Sequence, residues 1–174
     1  MPMFARGMRA TTCALALTTA LLLGGCGGDA ESDAPAATTA TPTASAEDDA
    51  VAVLESYWKE RVRVETSGAY DTADFSRILT PSESEPMLAR YDQFEAGNFR
   101  RVGAPELRDY TATVDGASAI ATVCVNEDEW GAEADGEVVQ PDAAGWYASS
   151  HRLEQKDGAW LIVSTAKTPS GISC

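Results

Sequence analysis

His151 is the one histidine in a chain of 174 residues, and by type it is the side chain best suited to move a proton near neutral pH. Ser149 and Ser150 stand beside it, but a Ser-His-Asp hydrolase needs a nucleophile placed on a strained turn, and no G-x-S-x-G occurs. His151 alternates with Leu153 and lies opposite a run containing Ile162 and Trp160, so it reads as a hydrogen-bonded residue of the core or its rim. A metal is the next chemistry to consider. Asn126, Asp128, Gly131 and Glu137 match positions one, three, six and twelve of a calcium loop, yet Trp130 stands at position five, where an oxygen ligand belongs. Residues 126–137 therefore read as a solvated acidic connection between hairpins, and neither metal nor cofactor is expected. Tyr57, Trp58, Tyr91 and Phe94 have helical spacing, which makes them core or, with His151 and Trp160, the lining of a small pocket. No residue is assigned as catalytic.

The elements that would carry these side chains follow from periodicity. Val51, Leu54, Tyr57, Trp58 and Val62 recur at three- and four-residue spacing behind Glu47, Asp48 and Asp49, whose charges suit a helix N-terminus, so a first helix is predicted over 48–66, ended by Ser67-Gly68. A short helix is predicted over 72–79. A third, over 82–95, aligns Met87, Leu88, Tyr91 and Phe94, with Ser82 and Glu85 in capping-box spacing and Gly97 at its end. Beyond Gly97 the period becomes two. Residues 107–114 and 117–125 flank Asp115-Gly116, and 146–156 and 159–167 flank Asp157-Gly158, which predicts two hairpins on type I′ turns. Pairing across the second turn sets His151 opposite Ser164, Leu153 opposite Ile162 and Gln155 opposite Trp160. Helices followed by a long antiparallel sheet give an α+β fold.

In that order of elements the chain resembles the nuclear transport factor 2-like superfamily, also called the ketosteroid isomerase or SnoaL-like cone. The first helix with Tyr57-Trp58, the segment Tyr70-Asp71-Thr72-Ala73-Asp74-Phe75 and the terminal hairpin with Asp157-Gly158-Ala159-Trp160-Leu161-Ile162-Val163 carry the resemblance, over nearly all of 48–170. It implies N-terminal helices packed on a strongly curved antiparallel sheet. It also implies an apolar interior in which superfamily enzymes hold a carboxylate base and a hydroxyl donor, and there Tyr57, Tyr91, Asp74 and His151 are the candidates by type. None of them sits in a recognisable family motif.

The N-terminus speaks to location. Arg6 and Arg9 precede an apolar run over 11–23, a signal-peptide shape too short for the roughly 20 residues of a membrane-spanning helix. Leu23-Gly24-Gly25-Cys26 resembles the lipobox of bacterial lipoproteins, which implies cleavage before Cys26, lipid on its thiol, and an anchor on the outer face of the cell membrane. The domains then read as a signal over 1–25, lipidated Cys26 with an Ala/Thr/Pro tether over 26–46, and an extracytoplasmic domain over 47–174. With Cys13 removed and Cys26 lipidated, Cys124 and Cys174 remain as a pair in an oxidising compartment, and a disulfide between them is expected.

A net charge of -14 would repel a polyphosphate and excludes nucleic acid as a partner. What is left is a non-catalytic lipoprotein module that binds a small apolar ligand or a cell-envelope protein. The alternatives are an isomerase, hydratase or hydrolase of a hydrophobic small molecule, and a homodimerisation module built on the open sheet face.

Overall fold

Helix α1 (Ala44–Ser67) buries one stripe, and the stripe sets the architecture. Ala50, Leu54, Tyr57, Trp58 and Val64 are all buried, at the three-, four- and seven-residue spacings of a helix face laid on a sheet. The computed structural model describes residues 44–174, so the predicted signal peptide, Cys26 and the tether as far as residue 43 lie outside the described residues. The helix begins at Ala44 rather than Asp48, taking in the last three residues of the predicted tether. It ends as predicted, with Gly68 in the left-handed region at φ +70.

The predicted helix over 72–79 is replaced by a 3-10 turn at Tyr70–Thr72 and an irregular segment. The reason is local. The Asp74 carboxylate accepts hydrogen bonds from its own neighbour Ser76, from the amide at 3.1 Å and from the hydroxyl at 2.7 Å, which offers the backbone an alternative to a helix. The segment is then captured by the sheet, because the Ile162 amide donates to the Ile78 carbonyl and the Thr80 amide to the Ile162 carbonyl. Helix α2 (Pro81–Ala96) follows. Its N-cap is Thr80, whose carbonyl accepts from the Glu83 and Ser84 amides, with Pro81 at the first helical position, so the Ser82–Glu85 capping box is not used. Tyr91 is buried and Met87 and Phe94 are half-buried, whereas Leu88, predicted on the same face, is exposed.

Seven strands form two antiparallel sheets. One has the order β2-β3-β6-β7, from β2 (Glu106–Asp115), β3 (Ser118–Asn126), β6 (Tyr147–Lys156) and β7 (Ala159–Thr165); the other has the order β1-β4-β5, from β1 (Phe99–Gly103), β4 (Trp130–Ala134) and β5 (Glu137–Val139). The fold is α+β, with two helices packed on antiparallel sheets and no closed barrel among the described residues. Both predicted hairpins are present. Asp157 and Gly158 have φ +51 and +82, as a type I′ turn requires, but at the other hairpin Asp115 pairs with Ser118 and the left-handed residue is Gly116 alone. Leu153 faces Ile162 and Gln155 faces Trp160 as predicted. A one-residue irregularity next to Arg152 moves His151 opposite Thr165 instead of Ser164.

The smaller sheet overturns the reading of 126–137 as a solvated connection. Trp130 is fully buried and pairs with Gly103, and the strand turns at Asp135-Gly136, φ +52 and +81, into β5. Asn126 and Asp128 serve the backbone: the Asn126 side-chain oxygen accepts from the Asp128 amide, and one Asp128 oxygen accepts from the Ala144 and Gly145 amides.

Cys124 and Cys174 are joined by a disulfide, Cα atoms 5.5 Å apart. It holds the C-terminal segment across the sheet face opposite α1. The Ala166 amide donates to the Ser150 carbonyl, the Ser150 hydroxyl meets Thr168, and Arg108 donates to the Cys174 carbonyl. Both faces of β3 are therefore covered: Ala119, Ala121, Val123 and Val125 on the helix side, Thr122 and Cys124 beneath the strap.

Candidate functional site

The buried stripe of α1 does not end in apolar residues. One turn beyond Tyr57 comes Arg61, and four residues further comes Glu65, of which only 4% is exposed. Arg61 Nε donates to Glu65 Oε1 at 2.9 Å, and the guanidinium rests against two indoles, 4.9 Å from the Trp58 ring and 5.1 Å from that of Trp130. Arg101, on β1, also lies over the Trp130 ring at 4.3 Å, donates to the Trp130 carbonyl and reaches Glu65 Oε2 at 3.7 Å. The Tyr91 hydroxyl donates to Glu65 Oε1 at 3.3 Å from helix α2. Glu127 closes the group, its Oε1 3.9 Å from both Arg61 and Arg101. The Trp58 and Trp130 indole N–H groups are buried with no hydrogen-bond partner among the described residues, a cost of roughly 1–3 kcal/mol each. The rings thus contribute their faces to the cations.

Arg61, Glu65 and Tyr91 belong to the wall of a cleft between α1 and α2, about 320 Å³ in volume, whose lining is completed by Tyr57, Pro86, Met87 and Arg90. Pro86 stands inside α2 and carries no amide hydrogen. Electrostatics follow from burial. Desolvation pushes the Tyr57 and Tyr91 hydroxyls above their ordinary values, in each case partly offset by Arg61 and reinforced by Glu65. Burial works against the charge on Arg61, but Glu65, Tyr57 and Glu127 outweigh it, and its affinity for the proton rises. Both phenols are therefore hydrogen-bonding groups at neutral pH rather than acids. His151 lies behind Tyr57, ring centres 5.1 Å apart, and its Nε2 is 3.2 Å from the Ser149 hydroxyl. Burial first and the Arg61 charge second hold its pKa down to about 4.

Of the candidates named from the sequence, the structure brings Tyr57, Tyr91 and His151 together. Trp58 lies beneath Arg61 and supports the wall. Phe94 packs instead against Tyr70, Tyr91 and Phe99, and Trp160 is buried on β7 apart from the residues that line the cleft. Asp74, a candidate carboxylate of the interior, is exposed and bound to Ser76, so it is not part of the site. Arg61, Glu65, Arg101 and Glu127 were not singled out from the sequence. The signal that could have found the first two is their register, since 54, 57, 58, 61 and 65 continue one helical face. Among the described residues no group of three or more metal-binding side chains could hold an ion, and no helix is long and apolar enough to cross a membrane.

No family model and no curated protein matches the chain. Among solved structures, the intermembrane space region of the chloroplast protein ARC6 is similar at a TM-score of 0.49 and 10% identity, covering 66% of this chain and 90% of that one. A Xanthomonas campestris protein named as a calcium/calmodulin dependent protein kinase II association domain is similar at a TM-score of 0.31 and 17% identity, covering 69% and 86%. At these values neither likeness bears on activity.

Proposed function

We propose that the chain is an extracytoplasmic lipoprotein, held on the outer face of the cell membrane by acyl chains on Cys26, and that its folded domain is a non-catalytic module that binds a small ligand in the cleft between α1 and α2. The lipobox-like Leu23-Gly24-Gly25-Cys26 supports the anchor. The order of helices and hairpins supports a curved, nuclear transport factor 2-like arrangement, to which the irregularity at Arg108–Thr111, with Asp109 at φ +56, would add bend. The observation that carries the binding role is the cleft, where the Arg61–Glu65 ion pair and Tyr57 of α1 face Tyr91 of α2 around a space of about 320 Å³. Such a recess, mostly apolar with a few convergent polar groups, is the ordinary form of a small-molecule site.

An isomerase or hydrolase would need a free base, whereas the cleft's carboxylate, Glu65, is engaged by Arg61, Arg101 and Tyr91, and His151, behind Tyr57, has its pKa held down to about 4, with little driving force to take a proton at neutral pH. The strap over the outer face of β3 and β6 argues against that face as a broad dimer surface. Native mass spectrometry of the full-length protein, purified in detergent from its host, tests the binding role. A bound small molecule in a monomer is expected; a stoichiometric envelope protein or a stable homodimer would replace this reading by one of its alternatives. Cys26→Ala should move the protein out of the membrane fraction, and unchanged partition would refute the anchor.

A further inference from the structure

The cleft has a charge preference that its volume does not reveal. Among the described residues Nε is the one Arg61 nitrogen hydrogen-bonded to a carboxylate, and Glu127 stands 3.9 Å from Nη2, too far to hydrogen-bond. The guanidinium rests against the Trp58 and Trp130 rings and its Nε is tied to Glu65, with 18% of the side chain exposed, so its position is restrained. Arg90 comes from the opposite wall. It lies 4.9 Å over the Phe94 ring and makes no ion pair among the described residues. Among the cleft's lining residues Arg61 and Arg90 face Glu65, and behind them Arg101 is matched by Glu127, which leaves one net positive charge inside a strongly acidic protein.

We propose that the cleft takes a small monoanionic carboxylate with an apolar tail, its head held between the guanidiniums of Arg61 and Arg90 and its tail against Pro86 and Met87. This rests on the reading of the cleft as a ligand site and names the ligand's class. A planar carboxylate matches the donor fork of arginine, and Tyr57 adds a hydroxyl beside it. Dianions such as phosphate monoesters are disfavoured, because Glu65 and Glu127 leave only one positive charge to compensate. The acidity of the rest of the chain repels anions at a distance, so affinity must come from contact rather than from long-range steering.

The test titrates the full-length protein in detergent with octanoate and with octanamide, which has the same length and no charge, observing the arginine Nε–H signals by NMR. Octanoate is expected to bind at least tenfold more tightly than octanamide and to shift the Arg61 signal. Arg90→Gln, on an exposed position, is expected to remove most of that preference, weakening octanoate far more than octanamide. Equal binding of the two probes would overturn the carboxylate assignment and leave the small-ligand role standing. Binding of neither would overturn both. Octanoate binding that leaves the Arg61 signal and the Arg90→Gln variant unaffected would place the anion elsewhere and also overturn the proposal.

Discussion

Arg61 and Glu65, one helical turn apart, form a 2.9 Å ion pair on the face of α1 that is turned into the protein. Glu65 offsets Arg61 directly and Arg101 at 3.7 Å, so removing its charge leaves two guanidiniums poorly compensated in a low-dielectric setting. Glu65→Gln should keep the shape and lose roughly 3–5 kcal/mol, whereas Arg61→Leu combined with Glu65→Leu should lie closer to the wild type than that single change. Urea denaturation measures both, and a near-neutral Glu65→Gln would show that the pair is well solvated.

The same pair shows where sequence reading stopped. The face of α1 was legible from Leu54, Tyr57 and Trp58, but charged residues are conventionally placed on the solvated side, and Arg61 and Glu65 were passed over although they hold the register. The hairpin at Asp157-Gly158 was legible because alternation and turn chemistry agree there. The smaller sheet was not, since Arg100-Arg101 in β1 and the acids flanking Trp130 mask short strands, one of whose partners lies about thirty residues away. Asp135-Gly136 was the available clue, the same dipeptide that marked the other hairpins. The short helix over 72–79 is absent for the opposite reason: its apolar spacing is helical, and a hydrogen bond from the Ser76 amide to the Asp74 carboxylate decides the backbone.

Gly103 ends β1 where the strand pairs with Trp130, and it does so at φ +83. A Cβ placed there runs into the Glu129 carbonyl oxygen, a backbone atom that cannot swing aside. Gly103→Ala is expected to cost roughly 2–4 kcal/mol and to disturb Trp130 fluorescence. Gly116→Ala, at φ +59 with nothing near its Cβ, is the control and should cost only about 1 kcal/mol. Equal losses would mean that conformation alone, not the contact with Glu129, sets the penalty.

His151 makes stability depend on pH in a defined direction. Its folded pKa, about 4, lies below the 6.5 of an unhindered imidazole, so between these values the unfolded chain binds the extra proton. Its contribution is complete above pH 6.5 and is lost as pH falls through about 4, a difference of about 3 kcal/mol at the acid limit. His151→Gln should therefore flatten the stability profile between pH 6.5 and 4 relative to the wild type. Parallel profiles would place the imidazole in contact with solvent.

The C-terminal strap is tied by one covalent link and a few hydrogen bonds, each worth about 1 kcal/mol net. Closing a loop with a sequence separation of 50 contributes roughly 4 kcal/mol in the chain-entropy model, so the disulfide dominates the attachment. Cys124→Ala with Cys174→Ala should lower stability by about that amount and speed amide exchange over 166–174. The outer side of β3 around Thr122 should exchange faster as well, because the Thr122–Ser150 hydroxyl pair, 2.9 Å apart, lies beneath the strap. The cleft opens on the other side of the sheet, between the helices, and its ligand affinity should not change. A variant that lost cleft binding while keeping its protected β3 amides would show that the strap acts on the site rather than on the face it covers.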